Sequence, residues 1–186
     1  MDNLLKKDQL LKRYFPPDKI LRRIVAVFAI LAFLFFVYKV WNFYNLSARR
    51  VFNSNYSEYK LVVTKSGDSS AIRQSYIIND YKQVILLARS SRSIEDNFLA
   101  GHAQLALDNA AAAVTGFKKV IDMSYVAGGS VFKEEAEYDL ILSYILNRDY
   151  DLALEQMNKV KGNPGHFYHD KMTNKLFRQV KLLKWR

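Results

Sequence analysis

Hydrophobic and polar positions follow two regimes along this chain. From Ile24 to Tyr38 no residue is charged, and apolar character continues to Tyr44 with one interruption at Lys39. At about 1.5 Å per helical residue, residues 24–44 reach roughly 32 Å, which matches a hydrocarbon core. The pattern therefore predicts a transmembrane helix over 24–44. Lys39 falls near the far end, where its ammonium can reach the headgroups beside an aromatic belt of Tyr38, Trp41, Phe43 and Tyr44. A buried helix of a soluble protein and a cleaved signal peptide are the alternatives. The long basic lead-in, the overlong apolar run and the bulky Leu46 in the best small-residue site, Leu46-Ser47-Ala48, favour an uncleaved anchor.

Beyond the span, a polar connector (Asn53 to Tyr59, then Lys65 to Ser70) leads into helical periodicity that runs to the end; no segment alternates with period two for long enough to propose a sheet. The body also repeats itself. Phe98 to Ala106 overlies Tyr138 to Leu146 at a shift of 40, which places Ala113 on Ala153, Phe117 on Met157 and Val120 on Val160. Each half reads as helix, polar turn (Asp108-Asn109; Asn147-Arg148-Asp149) and second helix, with a small residue near the start of the second helix that allows close approach. A weaker unit precedes them, with Asp80-Tyr81-Lys-Gln-Val84-Ile85 as its turn and second helix. Past Gly162-Asn-Pro-Gly165, a last helix places Met172, Leu176, Val180 and Leu183 on one face.

These residues resemble tetratricopeptide repeats. Ala100 and Gly101, then Leu140 and Ile141, occupy the positions where the family packs its first helix. Tyr144 and Tyr150 take the aromatic sites, Ala113 and Ala153 the small site, and Phe117 and Met157 the large apolar site. No Trp opens either unit, Ile141 replaces a small residue, and the period exceeds the family's, with the excess fitting the loop Ser124 to Ser130. The resemblance implies an all-α protein: one N-terminal transmembrane helix, then a right-handed tetratricopeptide-like stack with a capping helix. The expected divisions are a basic tail at 1–23, the span at 24–44, a juxtamembrane connector at 45–68 and a repeat domain at 69–186. Within that domain, units fall at 69–92, 95–123 and 134–161, and the cap at 166–184. The plan resembles small membrane-anchored repeat proteins of the bacterial envelope, Bacteroidetes-type in the Arg49 to Tyr59 juncture, and also the ancillary subunit of the Sec translocon.

Charge sharpens this plan. The chain totals +10, which by itself suggests nucleic acid. Yet residues 1–23 hold +4 and residues 171–186 hold +6 with no acid, while residues 39–170 are neutral. No nucleic-acid partner is therefore expected. The seven bases before the span, against chiefly Arg49 and Arg50 after it, place the N-terminus in the cytoplasm and the body on the far side; the resemblance implies that these are the cytoplasmic and periplasmic sides of a bacterial inner membrane. Absent Cys excludes disulfide scaffolds and thiol catalysis.

Candidate chemistry is sparse. His166-x-x-His169-Asp170 has ligand-like spacing, but its reading is surface histidines at a helix start; His102 stands isolated, and Glu134, Glu135, Glu137 and Asp139 face a helix N-terminal dipole. No metal, cofactor or catalytic set is expected. What remains is a surface. By the family resemblance, first helices line a groove presenting Arg73, Tyr76, Phe98, His102, Leu105, Glu135, Tyr138, Asp139 and Leu142 to a protein or peptide partner. A noncatalytic membrane-tethered scaffold is the leading expectation. The alternatives are a transmembrane regulator that signals through its short tail to a cytoplasmic partner such as a transcription-control protein, and a hydrolase using His102 or His166.

Overall fold

The computed structural model describes residues 18–61, 70–129 and 132–186, and every regular element among them is helical. The tail before Asp18, the connector from Lys65 to Ser69, and the loop end at Ser130 lie outside the described residues. The chain forms two compact units, one ending at Asn45 and the other running from Leu46 to Arg186.

The first unit contains α1 (Asp18–Tyr44), in which an 18-residue window between Lys19 and Tyr44 has a mean hydropathy of 2.5 and none of that window is buried within the protein. It is long and apolar enough to cross a membrane. The helix starts six residues before the apolar run, so Lys19, Arg22 and Arg23 form its basic shoulder. Lys39 Nζ lies over the Phe35 ring at 5.1 Å, one turn back along the same helix.

In the second unit α2 (Ala48–Asn55) precedes three helical pairs: α3 (Ala71–Ile77) with α4 (Tyr81–Ala88), α5 (Ile94–Ala106) with α6 (Ala110–Val126), and α7 (Lys133–Asn147) with α8 (Tyr150–Lys161). A 3₁₀ turn (His169–Lys171) and α9 (Asn174–Lys184) follow. Each helix from α3 to α9 packs on its sequence neighbour, and α2 packs on α7 and α9.

Local chemistry explains the pairs. Asn79, Asp108 and Arg148 all adopt positive φ, at 61°, 61° and 68°. Each ends its helix identically: its own N–H returns to the carbonyl three residues back, and the next N–H to the carbonyl five before it (Asp80 to Ser75, Asn109 to Gln104, Asp149 to Tyr144). This is the Schellman closure, and it satisfies carbonyls that a bare helix end would orphan. Asp80 and Asn109 then cap the following helix through Gln83 and Ala112 N–H. The aligned positions Ala113 and Ala153, Phe117 and Met157, and Val120 and Val160 are all buried.

Two expected boundaries shift. The connector carries a helix, α2, because Ser47 caps it and Val51 and Phe52 find burial in the core of the second unit. The last helix starts at Asn174 rather than at 166, since the Asn163 to Met172 stretch turns repeatedly and Thr173 supplies the N-cap for Leu176 N–H. Lys171 and Met172 thus precede α9, though Met172 is still buried with Leu176, Val180 and Leu183.

Gly101 and Gly116 mark the closest approach of α5 to α6. A Cβ on Gly101 would meet the Phe117 ring at 2.7 Å, whereas one on Gly116 would stand 3.4 Å from Gly101 Cα. Gly101→Ala should therefore cost about 1–2 kcal/mol after its gain in helix propensity. Gly116→Ala should be neutral or stabilising by up to about 1 kcal/mol. Thermal unfolding of the full chain in detergent, followed by circular dichroism, separates the two outcomes.

Candidate functional site

The nine residues expected to line a groove lie on α3, α5 and α7, and residues 51–59 of the same chain cover much of that face. Tyr76, Phe98, His102, Leu105, Tyr138, Asp139 and Leu142 are buried. Arg73 and Glu135 remain half-exposed at the rim, Arg73 ion-paired with Glu95. Tyr138 donates its hydroxyl to Asn55 O at 2.9 Å, and Tyr76 donates to Tyr59 O at 3.2 Å. The face thus holds an exiting helix end and the extended chain after it by their main-chain carbonyls.

Aromatic packing supplies the remaining contacts. Tyr59 meets Phe98 edge-on with centroids 5.1 Å apart, Phe52 stacks on Tyr56 at 4.7 Å, and Phe98 packs against His102 at 4.6 Å and Phe132 at 4.9 Å. Each such pair contributes about 0.5–1.5 kcal/mol beyond the area it buries.

At the centre stands His102, 2% exposed. Its Nδ1 lies 3.0 Å from the Tyr56 hydroxyl, and its Nε2 lies 3.1 Å from Asp139 Oδ2. The carboxylate sits off the line of the Nε2–H bond, so that contact is electrostatic proximity without an aligned hydrogen bond. Burial first, and then the Asp139 charge, push the Tyr56 phenol well above its usual range. The protonated phenol shares one hydrogen bond with Nδ1, and Nε2 faces Asp139. This closed, buried triplet ties the juxtamembrane segment to two hairpins at once.

His166 is not on the surface. It is buried in the turn after α8, where its Nδ1 accepts from Tyr168 N–H at 3.0 Å and its Nε2 faces Glu137 Oε2 at 3.0 Å. Since Nδ1 is an acceptor, the ring is the Nε2–H tautomer and donates to Glu137. Glu134 accepts from Phe167 N–H at 2.8 Å, so two of the acids expected to face a helix dipole also fasten this turn to α7. Tyr168 stacks on Tyr138 with centroids 4.4 Å apart. Burial raises the Glu135 carboxyl, opposed by a hydrogen bond from its own backbone and reinforced by the neighbouring Glu134 and Asp139 charges.

Beside this turn, α6, α7 and α8 enclose a cleft of about 530 Å³ that the sequence pattern does not reveal. Lys118, Lys133 and Lys159 share it with Asp122, Glu134 and Glu137. Its charges are therefore mixed. Lys133 Nζ lies 4.1 Å above the Tyr125 ring, and Lys118 Nζ 5.6 Å above Tyr144. Among the described residues no three His, Cys, Asp or Glu side chains gather as metal ligands.

Comparison of the chain with protein-family models, curated proteins and solved structures gives no match in any of the three.

Two outcomes follow from the buried polar contacts. Tyr56→Phe keeps the ring packing but strands His102 Nδ1, and should lower unfolding free energy by about 1–3 kcal/mol in chaotrope titration. Alkali should act through the tyrosines that folding holds protonated, Tyr138 and Tyr168 among them, both pushed by burial from 10.0 to about 12. Below pH 10 each is protonated whether the chain is folded or not. Between 10 and 12 the unfolded chain releases protons that the folded chain retains, so stability falls as pH rises. The double variant Tyr138→Phe/Tyr168→Phe should show a shallower alkaline decline.

Proposed function

We propose that this chain is a noncatalytic, membrane-tethered scaffold whose tetratricopeptide-like body engages a protein or peptide partner. In this reading α1 is the single anchor in a bacterial inner membrane, the basic tail is cytoplasmic, and the helical pairs are periplasmic. The observation that supports it most is the contact of α3 and α7 with residues 51–59. Side chains on those helices already bond the carbonyls of Asn55 and Tyr59. A face with donors and aromatic walls for one extended segment has the chemistry to take another of the same kind. The shared turn geometry at Asn79, Asp108 and Arg148 supports the repeat assignment, and the excess of bases before α1 supports the orientation.

The covering segment is then an internal ligand, and a partner either competes with it or adds to the rim at Arg73 and Glu135. A photo-crosslinking residue placed at 73 or 135 of the full chain, in cells, should give one discrete protein adduct. Excess peptide spanning residues 51–61 should reduce that adduct. Absence of an adduct at both positions, or one indifferent to the peptide, argues against groove binding. A reporter fused after Arg186 should register export; a cytoplasmic signal would reverse the orientation.

A further inference from the structure

The outward side of α9 has no role in the scaffold reading, and its composition is distinctive. Asn174, Phe177, Arg178, Lys181, Leu182 and Trp185 line one shallow groove of about 400 Å³ along it. Their spacing of three and four places them on a single stripe opposite the buried Leu176, Val180 and Leu183. Trp185 is 90% exposed. Residues 171–186 contain six bases and no acid. Of these, Lys184 pairs with Asp151, but Lys175, Arg178 and Lys181 form no ion pair with another described residue. A large aromatic beside two aliphatic or aromatic side chains, flanked by unneutralised bases, has the composition of an interfacial helix.

Position selects the occupant. Arg186, at the end of α9, donates from Nη1 to Leu46 O at 2.6 Å. Leu46 lies two residues after Tyr44, the last residue of α1, and two residues of extended chain span about 7 Å. Arg186 thus holds the end of α9 to the first residue of the second unit, which follows α1 in sequence. We propose that α9 docks by this stripe on the anionic surface of the bilayer that α1 anchors. Trp185 and Leu182 enter the headgroup region beside the half-buried Phe177, while Arg178, Lys181 and Lys175 meet lipid phosphates. The inference rests on the anchor reading of α1 but not on groove binding.

The full chain carrying Trp41→Phe retains Trp185 as its sole tryptophan. It is reconstituted in phosphatidylcholine bilayers with or without phosphatidylglycerol, and Trp185 emission is read with lipids brominated near the headgroup. Blue-shifted, quenched emission in anionic bilayers alone is the expected result. Arg178→Gln and Lys181→Gln should each lower the docked-to-free ratio about fivefold, and high salt should abolish the difference between bilayers. Both residues are exposed, so circular dichroism should be unchanged.

Equal shielding in neutral and anionic bilayers overturns the proposal, as do variants that leave quenching unaltered. Water-exposed Trp185 in both bilayers also overturns it, and a crosslinker at 178 then distinguishes an acidic protein from a second copy of this chain. Flotation of the chain with the vesicles reports α1 separately. A chain that floats with Trp185 in water refutes docking alone, whereas one that does not float refutes the anchor as well.

Discussion

The second unit depends on one arrangement: the Tyr56 hydroxyl, the His102 ring and the Asp139 carboxylate meeting where α2 gives way to extended chain. Helical pairs of this size do not each bury a face alone, and a short series leaves its inward side uncovered. Here Val51, Phe52, Tyr56 and Tyr59 provide the cover. A charged, buried Asp139 would be costly without compensation, and the adjacent Nε2–H of His102 supplies a favourable dipole even though the alignment is imperfect. The three groups therefore specify where residues 51–59 lie, not merely that something apolar covers the face.

Much of the helical plan was legible from Phe98, Ala113, Phe117 and their counterparts 40 residues later, because burial imposes the same size and polarity at equivalent positions. The turns at Asp108 and Arg148 were equally readable from the polar runs Asp108-Asn109 and Asn147-Arg148-Asp149, but the positive φ of Arg148 was not, as it reflects the closure of α7 rather than the residue's own preference. The nine residues expected to line a groove lie on α3, α5 and α7, but the burial of seven of them was invisible in the sequence. Nothing in the polar appearance of Asn53 to Tyr59 discloses that Tyr56 and Tyr59 turn inward, because a tyrosine suits a wet surface and a dry core equally well. His166 misled for a related reason: its partner Glu137 lies 29 residues away and belongs to another helix.

The distribution of charge acquires a physical meaning from the structure. The neutral middle of the chain is where acids and bases satisfy specific contacts, as in Glu134 with Phe167 N–H and Arg73 with Glu95. The unbalanced bases lie at the shoulder of α1 and along α9, where neighbouring acids are few. Net charge is thus carried by the extremities, and the helical body between them is held by packing and by buried hydrogen bonds.

The span from Asn55 to Tyr138 sets an order of events during synthesis. The carbonyl of Asn55 leaves the ribosome 83 residues before the hydroxyl that binds it. At about 5–20 residues per second, that interval is roughly 4–17 s. Throughout it, Val51, Phe52, Tyr56 and Tyr59 have no α7 to pack against. The aromatic strip next to the apolar helix is thus the earliest part of the second unit to be made and among the last to be covered, which makes the nascent chain a separate physical object from the finished protein.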